Sequence, residues 1–536
     1  MRVNQRSWSR LVCFALFLAT AALSAWPVRG ALTADVIGVT LLRATTNLDG
    51  TGVIVADAET EVTLGSNDWE VMPSNSQINR PVSDITWYVS AVPVTNFPNL
   101  IGTDSWHSDA VGGFFYGLPG GIATNVAHIQ NIEASYYFFT AVPTQVAFAA
   151  RVVNQSFTVA KEDQVASDTA YDNYAARYNT LFVSGAGNGV YNNVPDPTVL
   201  APSTAYNGLS VAAYGGMSSV GPTIDNARAK PDLTVPALVT SFSTPLVAGA
   251  SAMLIQAALH GDGGPDTNSA ADIRTLKALL LNGAVKPLDW MAPSPSPLDP
   301  RYGSGILNIF NSYHELVGGK QAYQGTTTVS NSAPHPPPPG SHASEPVLSG
   351  WDFNSISSTG ASDKINHYFF TLTNTPGSGP YTVTATLVWN RQQNQVGINN
   401  LDLFLYNAAT SNLVAASTSM VDNVEHIYVP QLPPGNYDLE VLKHGGGFVT
   451  ASENYALAFE FFVMPLAATP VAGGVKFTWP AYPAGFILES NASLASPGSW
   501  AGNPTAFAPV FSNGQNSVFV NSPGGAPSYY RLIRSP

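Results

Sequence analysis

The chain has 536 residues, of which 11% are charged, and a formal net charge of −13. That acidic balance excludes nucleic acid or an anionic membrane as a partner held by charge, and the length allows several domains with separate cores. A single cysteine, Cys13, excludes a disulfide framework.

Arg2, Arg6 and Arg10 precede an apolar run from Leu11 to Ala25, the layout of an export signal. The run is shorter than the ~20 apolar residues needed to span a bilayer. Cleavage is expected after Gly30, with Ala22-Leu23-Ser24 as the other small-residue position. Most of the apolar run follows Cys13, which argues against a lipoprotein site. Without Arg2, Arg6, Arg10 and Arg29 the chain keeps 18 basic against 35 acidic residues.

Next, Gly50-Thr51-Gly52 turns into the β-branched run Val53-Ile54-Val55, which continues to Asp57 and Glu59. Carboxylates thus sit at the C-terminal end of a strand, where open α/β sheets collect catalytic groups. Positions 57 and 59 share a strand face, so both acids are candidates. Trp106 to Gly117 reads as a helix entered at His107, with small residues inside and aromatics after. A histidine there can face a cleft as a general base. Leu181-Phe182-Val183-Ser184 reads as a buried strand running into the turn Gly185-Ala186-Gly187-Asn188, which displays an amide able to donate to an oxyanion. Thr240-Ser241-Phe242-Ser243-Thr244-Pro245 opens an apolar helix rich in Ala and Gly from residue 248. A serine at a helix start sits beside unpaired N–H groups and the positive dipole end. Taken singly, each of these is an ordinary strand end, cap or turn.

Together the segments resemble the subtilisin-like serine proteases. Residues 240–249 match most of the family's serine motif, Gly185 to Asn188 its oxyanion turn, and His107, Val111 and Gly113 loosely its histidine motif. Ser219-Val220-Gly221-Pro222 and Lys230-Pro231-Asp232 resemble segments that precede the nucleophile. Val152 to Phe157 resembles the substrate-binding edge strand. The order acid, His, Ser is that of subtilisin. The resemblance covers roughly residues 38–320. It implies an α/β catalytic domain with a mostly parallel sheet flanked by helices. It also implies a secreted serine endopeptidase acting on protein or peptide substrates through an acyl-enzyme. Ser241 would be the nucleophile, His107 the base, Glu59 the triad acid (Asp57 the alternative) and Asn188 the oxyanion donor. Asn154, Gln155, Ser156 and Gly185 would bind substrate.

Four departures from the family pattern stand out. Glu59 replaces aspartate, and Val239 replaces a glycine before the nucleophile. Ser108-Asp109 replaces Gly-Thr after the histidine, and Thr158-Val159 replaces a glycine pair. Too few residues precede Gly50 for a pro-domain, so folding and latency are expected to be handled differently, by the C-terminal half or not at all. The alternative reading is a subtilase-shaped binding protein without catalysis; a weaker third is an esterase.

Tyr302 to Asn308 and a helix to Leu316 close the catalytic unit. The expected organisation is signal 1–30, catalytic domain 31–322, Pro/Ser/Thr-rich linker 323–345, β-sandwich 346–465 and a small β unit 466–536. Alternating runs such as Val383–Trp389 and Asn400–Tyr406 carry the sandwich expectation. No cofactor is expected to be required. Calcium as a structural ion has Asp402 and Asp422 as candidate ligands, against the plainer reading of solvated acids. The C-terminal units offer a contact for a cell surface or polysaccharide. Export by a bacterium, with no membrane span after signal removal, completes the expectation.

Overall fold

The structure is a computed structural model, described for residues 33–159, 164–189, 198–330, 347–374, 380–491, 500, 507–521 and 529–534. The export-signal and Cys13 readings lie outside these residues.

Seven strands form the first sheet: β1 (Ile54–Glu59), β2 (Ile85–Tyr88), β3 (His128–Glu133), β4 (Val152–Gln155), β5 (Leu181–Gly185), β6 (Leu209–Tyr214) and β7 (Leu233–Pro236). Their order is β2-β3-β1-β4-β5-β6-β7, and every pairing is parallel. Strands covered on both faces read as continuous apolar runs, as Val152-Val153 and Leu181-Phe182-Val183 do. The chain leaves β1, builds β2 and β3 on one side, then crosses to β4 on the other. The C-terminal end of β1 therefore lies at a topological switch point.

Two helices frame that end. Helix α1 spans Trp106–Phe115, and α2 spans Thr240–His260. The α2 helix runs through the core against α1, β4, β5 and β6. It is long and apolar enough to cross a membrane, yet it is mostly buried in this fold. Its small residues permit that depth: a Cβ on Gly249 would stand 2.5 Å from Ile122 Cβ.

The C-terminal half is antiparallel. A five-stranded sheet runs 325–330, 362–372, 435–443, 401–407, 412–417, and a four-stranded sheet runs 349–357, 452–462, 381–389, 424–432. Tyr368, Phe370, Leu439 and Val441 from one meet Val383, Leu387, Leu457 and Phe459 from the other. Smaller sheets follow beyond residue 466. Two expectations change. Gly325–Ser330, expected as unpacked linker, pairs along Ser362–His367, because the β-branched run Thr326 to Val329 suits a strand at the sheet edge. The sandwich is also not a detached body. The outer face of its four-stranded sheet, with Trp351, Val388, Ala456 and Ala458, joins the core of the parallel-sheet unit.

Candidate active site

Glu59 is the last residue of β1 and His107 the second of α1. The His107 Nδ1–H donates to Glu59 Oε2 at 2.6 Å, with both side chains buried. The second oxygen, Oε1, has no hydrogen-bond partner. Burial opposes protonation of the imidazole, but the charge of Glu59 and its hydrogen bond outweigh it, so the His107 pKa is raised. Asp57 lies one pleat back and takes a different role. It accepts from Asn154 Nδ2 at 2.9 Å and from the Tyr116 hydroxyl at 3.3 Å. Burial, then the neighbouring charge of Glu59, pushes its pKa well up. The structure thus brings Glu59, not Asp57, to the imidazole.

Ser241 is the second residue of α2. Its N–H belongs to the first turn, where no intrahelical acceptor exists, and it has no hydrogen-bond partner among the described residues. Asn188 approaches the same turn. Its Oδ1 accepts from Thr240 N–H at 2.9 Å and from Thr240 Oγ1 at 3.0 Å. A backbone N–H must meet an oxygen, so this contact fixes the amide orientation and leaves Nδ2 on the other side. Nδ2 makes no hydrogen bond among the described residues. Two donors without a partner among the described residues, Ser241 N–H and the Nδ2 of the asparagine held on Thr240, thus belong to this turn. Val239, the N-cap, is extended at φ −138° and ψ 157°, a conformation any residue adopts, so its departure from glycine constrains nothing. The Phe242 ring stacks on His107 at 6.5 Å between centroids, which ties the start of α2 to α1. Ser241 Oγ and His107 form no hydrogen bond in this structure.

Pro245 shapes the site as well. It supplies no N–H to the carbonyl of Ser241, four residues back. Ser156 replaces it, its Oγ donating to Ser241 O at 3.1 Å.

The substrate-binding expectations need correction. Strand β4 is interior to the sheet, between β1 and β5, so it offers no free edge. Asn154 and Gln155 are fully buried. Asn154 holds Asp57, while Gln155 donates to Tyr171 and accepts from Ser184. Ser156 supports the Ser241 backbone. Gly185 lies under the helix start, where a Cβ would press on Thr240 and Thr244 Oγ1 at 3.1 Å. Asn154, Ser156 and Gly185 thus position Asp57 and the helix start, while Gln155 ties the strand to Tyr171 and Ser184. Sequence reasoning missed Thr240 as the clamp on Asn188, and Tyr116 and Phe242 as neighbours of the acid pair and imidazole. The threonine beside the serine was the one visible signal. Of the calcium candidates, Asp402 accepts from His444, and Asp422 from Ala229 N–H and Ser419.

An α/β parallel sheet with an acid, a histidine and a helix-start serine gathered at its switch point defines a hydrolase-type architecture. Residues 119–310 match the model of the subtilase family. The match includes Asn188 and Ser241 but begins after Glu59 and His107, whose assignment rests on geometry. Among solved structures, the protease domain of PatA is 19% identical over 51% of this chain and 98% of its own, with a TM-score of 0.36. A serine protease of Aeromonas sobria is 13% identical over 81% of this chain and 84% of its own, with a TM-score of 0.36. A cold adapted subtilisin-like serine proteinase is 18% identical over 49% and 91%, with a TM-score of 0.33. No curated protein matches the sequence.

Proposed function

We propose that the protein is a secreted serine endopeptidase. His107 Nε2 takes the proton of Ser241 as Oγ attacks a peptide carbonyl. Glu59 holds the Nδ1–H tautomer and stabilises the imidazolium that forms. Asn188 Nδ2 and the Ser241 N–H receive the oxyanion, and collapse expels the amine to leave an acyl-enzyme that water hydrolyses. Substrate binding brings Oγ and Nε2 to hydrogen-bond distance, as in other sites that tighten only in the Michaelis complex.

The buried Glu59–His107 pair at 2.6 Å, with two donors unpartnered among the described residues in the turn of Ser241, carries this reading. Burying a carboxylate to hold an imidazole in one tautomer is costly, and base catalysis at Ser241 is a use that accounts for it. A fluorophosphonate probe tests it. Wild type should label covalently at Ser241, Ser241→Ala should not label, and casein hydrolysis should follow labelling. A folded wild type that does not label would leave the binding-protein reading standing. Labelling with hydrolysis of short-chain esters but not casein would make it an esterase.

A further inference from the structure

On the outer face of the five-stranded sheet, His367, Asp438 and Glu440 meet with side chains 2%, 0% and 0% exposed. His367 lies opposite Glu440 on the neighbouring strand, and Asp438 stands two residues away on the same face. One ligand atom from each lies within 4.8 Å of the others. His367 Nδ1 is 2.7 Å from Asp438 Oδ2 and 3.6 Å from Glu440 Oε1. Among the described residues neither oxygen of Glu440 has a hydrogen-bond partner, and neither does Asp438 Oδ1. Phe369, Phe404 and Tyr406 stand beside them on the sheet, so water does not solvate the pair.

On the middle strand of the sheet Asp438 has only the His367 ring as its hydrogen-bond partner and Glu440 has none among the described residues, and two buried carboxylates so placed cost several kcal/mol if nothing positive lies between them. We propose that His367, Asp438 and Glu440 form a structural site for a first-row divalent cation of the zinc type. The spacing suits it. Tetrahedral ligands at zinc distances stand about 3.3 Å apart. The Nδ1-to-Glu440 separation is already close to that, and Asp438 needs to withdraw by less than an ångström. The donor set selects the cation class, since an imidazole with two carboxylates suits zinc and its neighbours, whereas calcium takes oxygen ligands only. The far ring nitrogen, Nε2, lies 2.7 Å from Thr327 Oγ1. With Nε2–H donating there, the Nδ1 lone pair faces the carboxylates, the second contact that metal-binding imidazoles show. Burial and the charge of Asp438 raise the Glu440 pKa to about 10 without a cation, so a shared proton is the rival occupant. Thr327 belongs to the edge strand 325–330, so the cation would fasten that strand to the sandwich.

The experiment uses the full chain, stripped with a chelator and titrated calorimetrically with Zn²⁺ and, separately, Ca²⁺. Wild type should take up one Zn²⁺ and unfold at a higher temperature with it. Glu440→Gln, which keeps shape and removes charge, and His367→Gln should each bind at least tenfold more weakly and lose the thermal shift. Co²⁺ should give wild type the visible bands of a nitrogen- and oxygen-ligated site, a readout that stands even if a variant does not fold. Equal Zn²⁺ uptake by wild type and variants, or no uptake, overturns the site in favour of the shared proton. Preference for Ca²⁺ overturns the cation class.

Discussion

Replacing Glu59 by glutamine removes one charge and almost no volume. Oε1 has no hydrogen-bond partner among the described residues, so an amide there breaks no existing bond and the fold should survive. What is lost is the countercharge to the imidazolium formed as Ser241 attacks. At 2.6 Å and an effective dielectric of ~20, two unit charges attract by about 6 kcal/mol. An equivalent acid-to-amide change in a serine protease triad lowers turnover about 10⁴-fold, or about 5 kcal/mol. The expected loss in Glu59→Gln is therefore about 10³–10⁴-fold in kcat. Its pH profile should move too. The imidazole must be neutral to act as base, and its raised pKa places the acid limb of kcat/KM above the ordinary value of about 6.5. With the charge gone, burial alone remains and the limb shifts to lower pH. Glu59→Asp, shorter by one methylene, opens the contact and should lose activity while keeping the direction of the limb. Turnover on a chromogenic peptide across pH, with fluorophosphonate labelling rates, measures all three. A Glu59→Gln enzyme within tenfold of wild type, with an unmoved limb, would refute the role given to this pair.

Asn188→Ala should lower kcat by about 10²–10³-fold with little change in KM, because its amide acts on charge that develops after binding; steady-state kinetics on one peptide substrate decides. Ser156→Ala leaves the Ser241 carbonyl without its replacement donor. A loss of about 1–3 kcal/mol in stability is expected, with a fall of about tenfold in kcat and rescue by Ser156→Thr. Trp351 is fully buried where the sandwich meets the parallel-sheet unit, and its Nε1–H donates to Leu316 O. Trp351→Ala should cost about 3–5 kcal/mol in denaturant unfolding. For the same reason a chain ending at residue 322 should be recovered insoluble. It would bare the helix Ile273–Asn282, whose Asn282 Oδ1 accepts from Thr384 and Thr386 at 3.0 Å. A soluble, active fragment would show that the two units fold independently.

The sequence by itself determined local features: the strand into Asp57 and Glu59, the helix entered at His107, the turn at Asn188 and the helix start at Ser241. These follow from β-branched runs, glycine turns and a proline in a first turn, which act within a few residues. Their gathering at one sheet edge was legible only through the order of the segments and their likeness to a known family. Strand order and long-range contact were decided by the tertiary structure. Asp57 and Glu59 are equivalent by spacing. They separate because Tyr116 and Asn154 meet one and His107 the other, across 48 to 97 residues of chain. The Val152–Gln155 strand reads as an edge by its motif but is interior by pairing, and pairing is non-local. The sandwich looked detached because proline and serine flank it. Its outer face mixes Trp351, Val388, Ala456 and Ala458 with Thr384 and Thr386, and all of these are buried by a surface brought from the other unit, a contact that no local pattern announces.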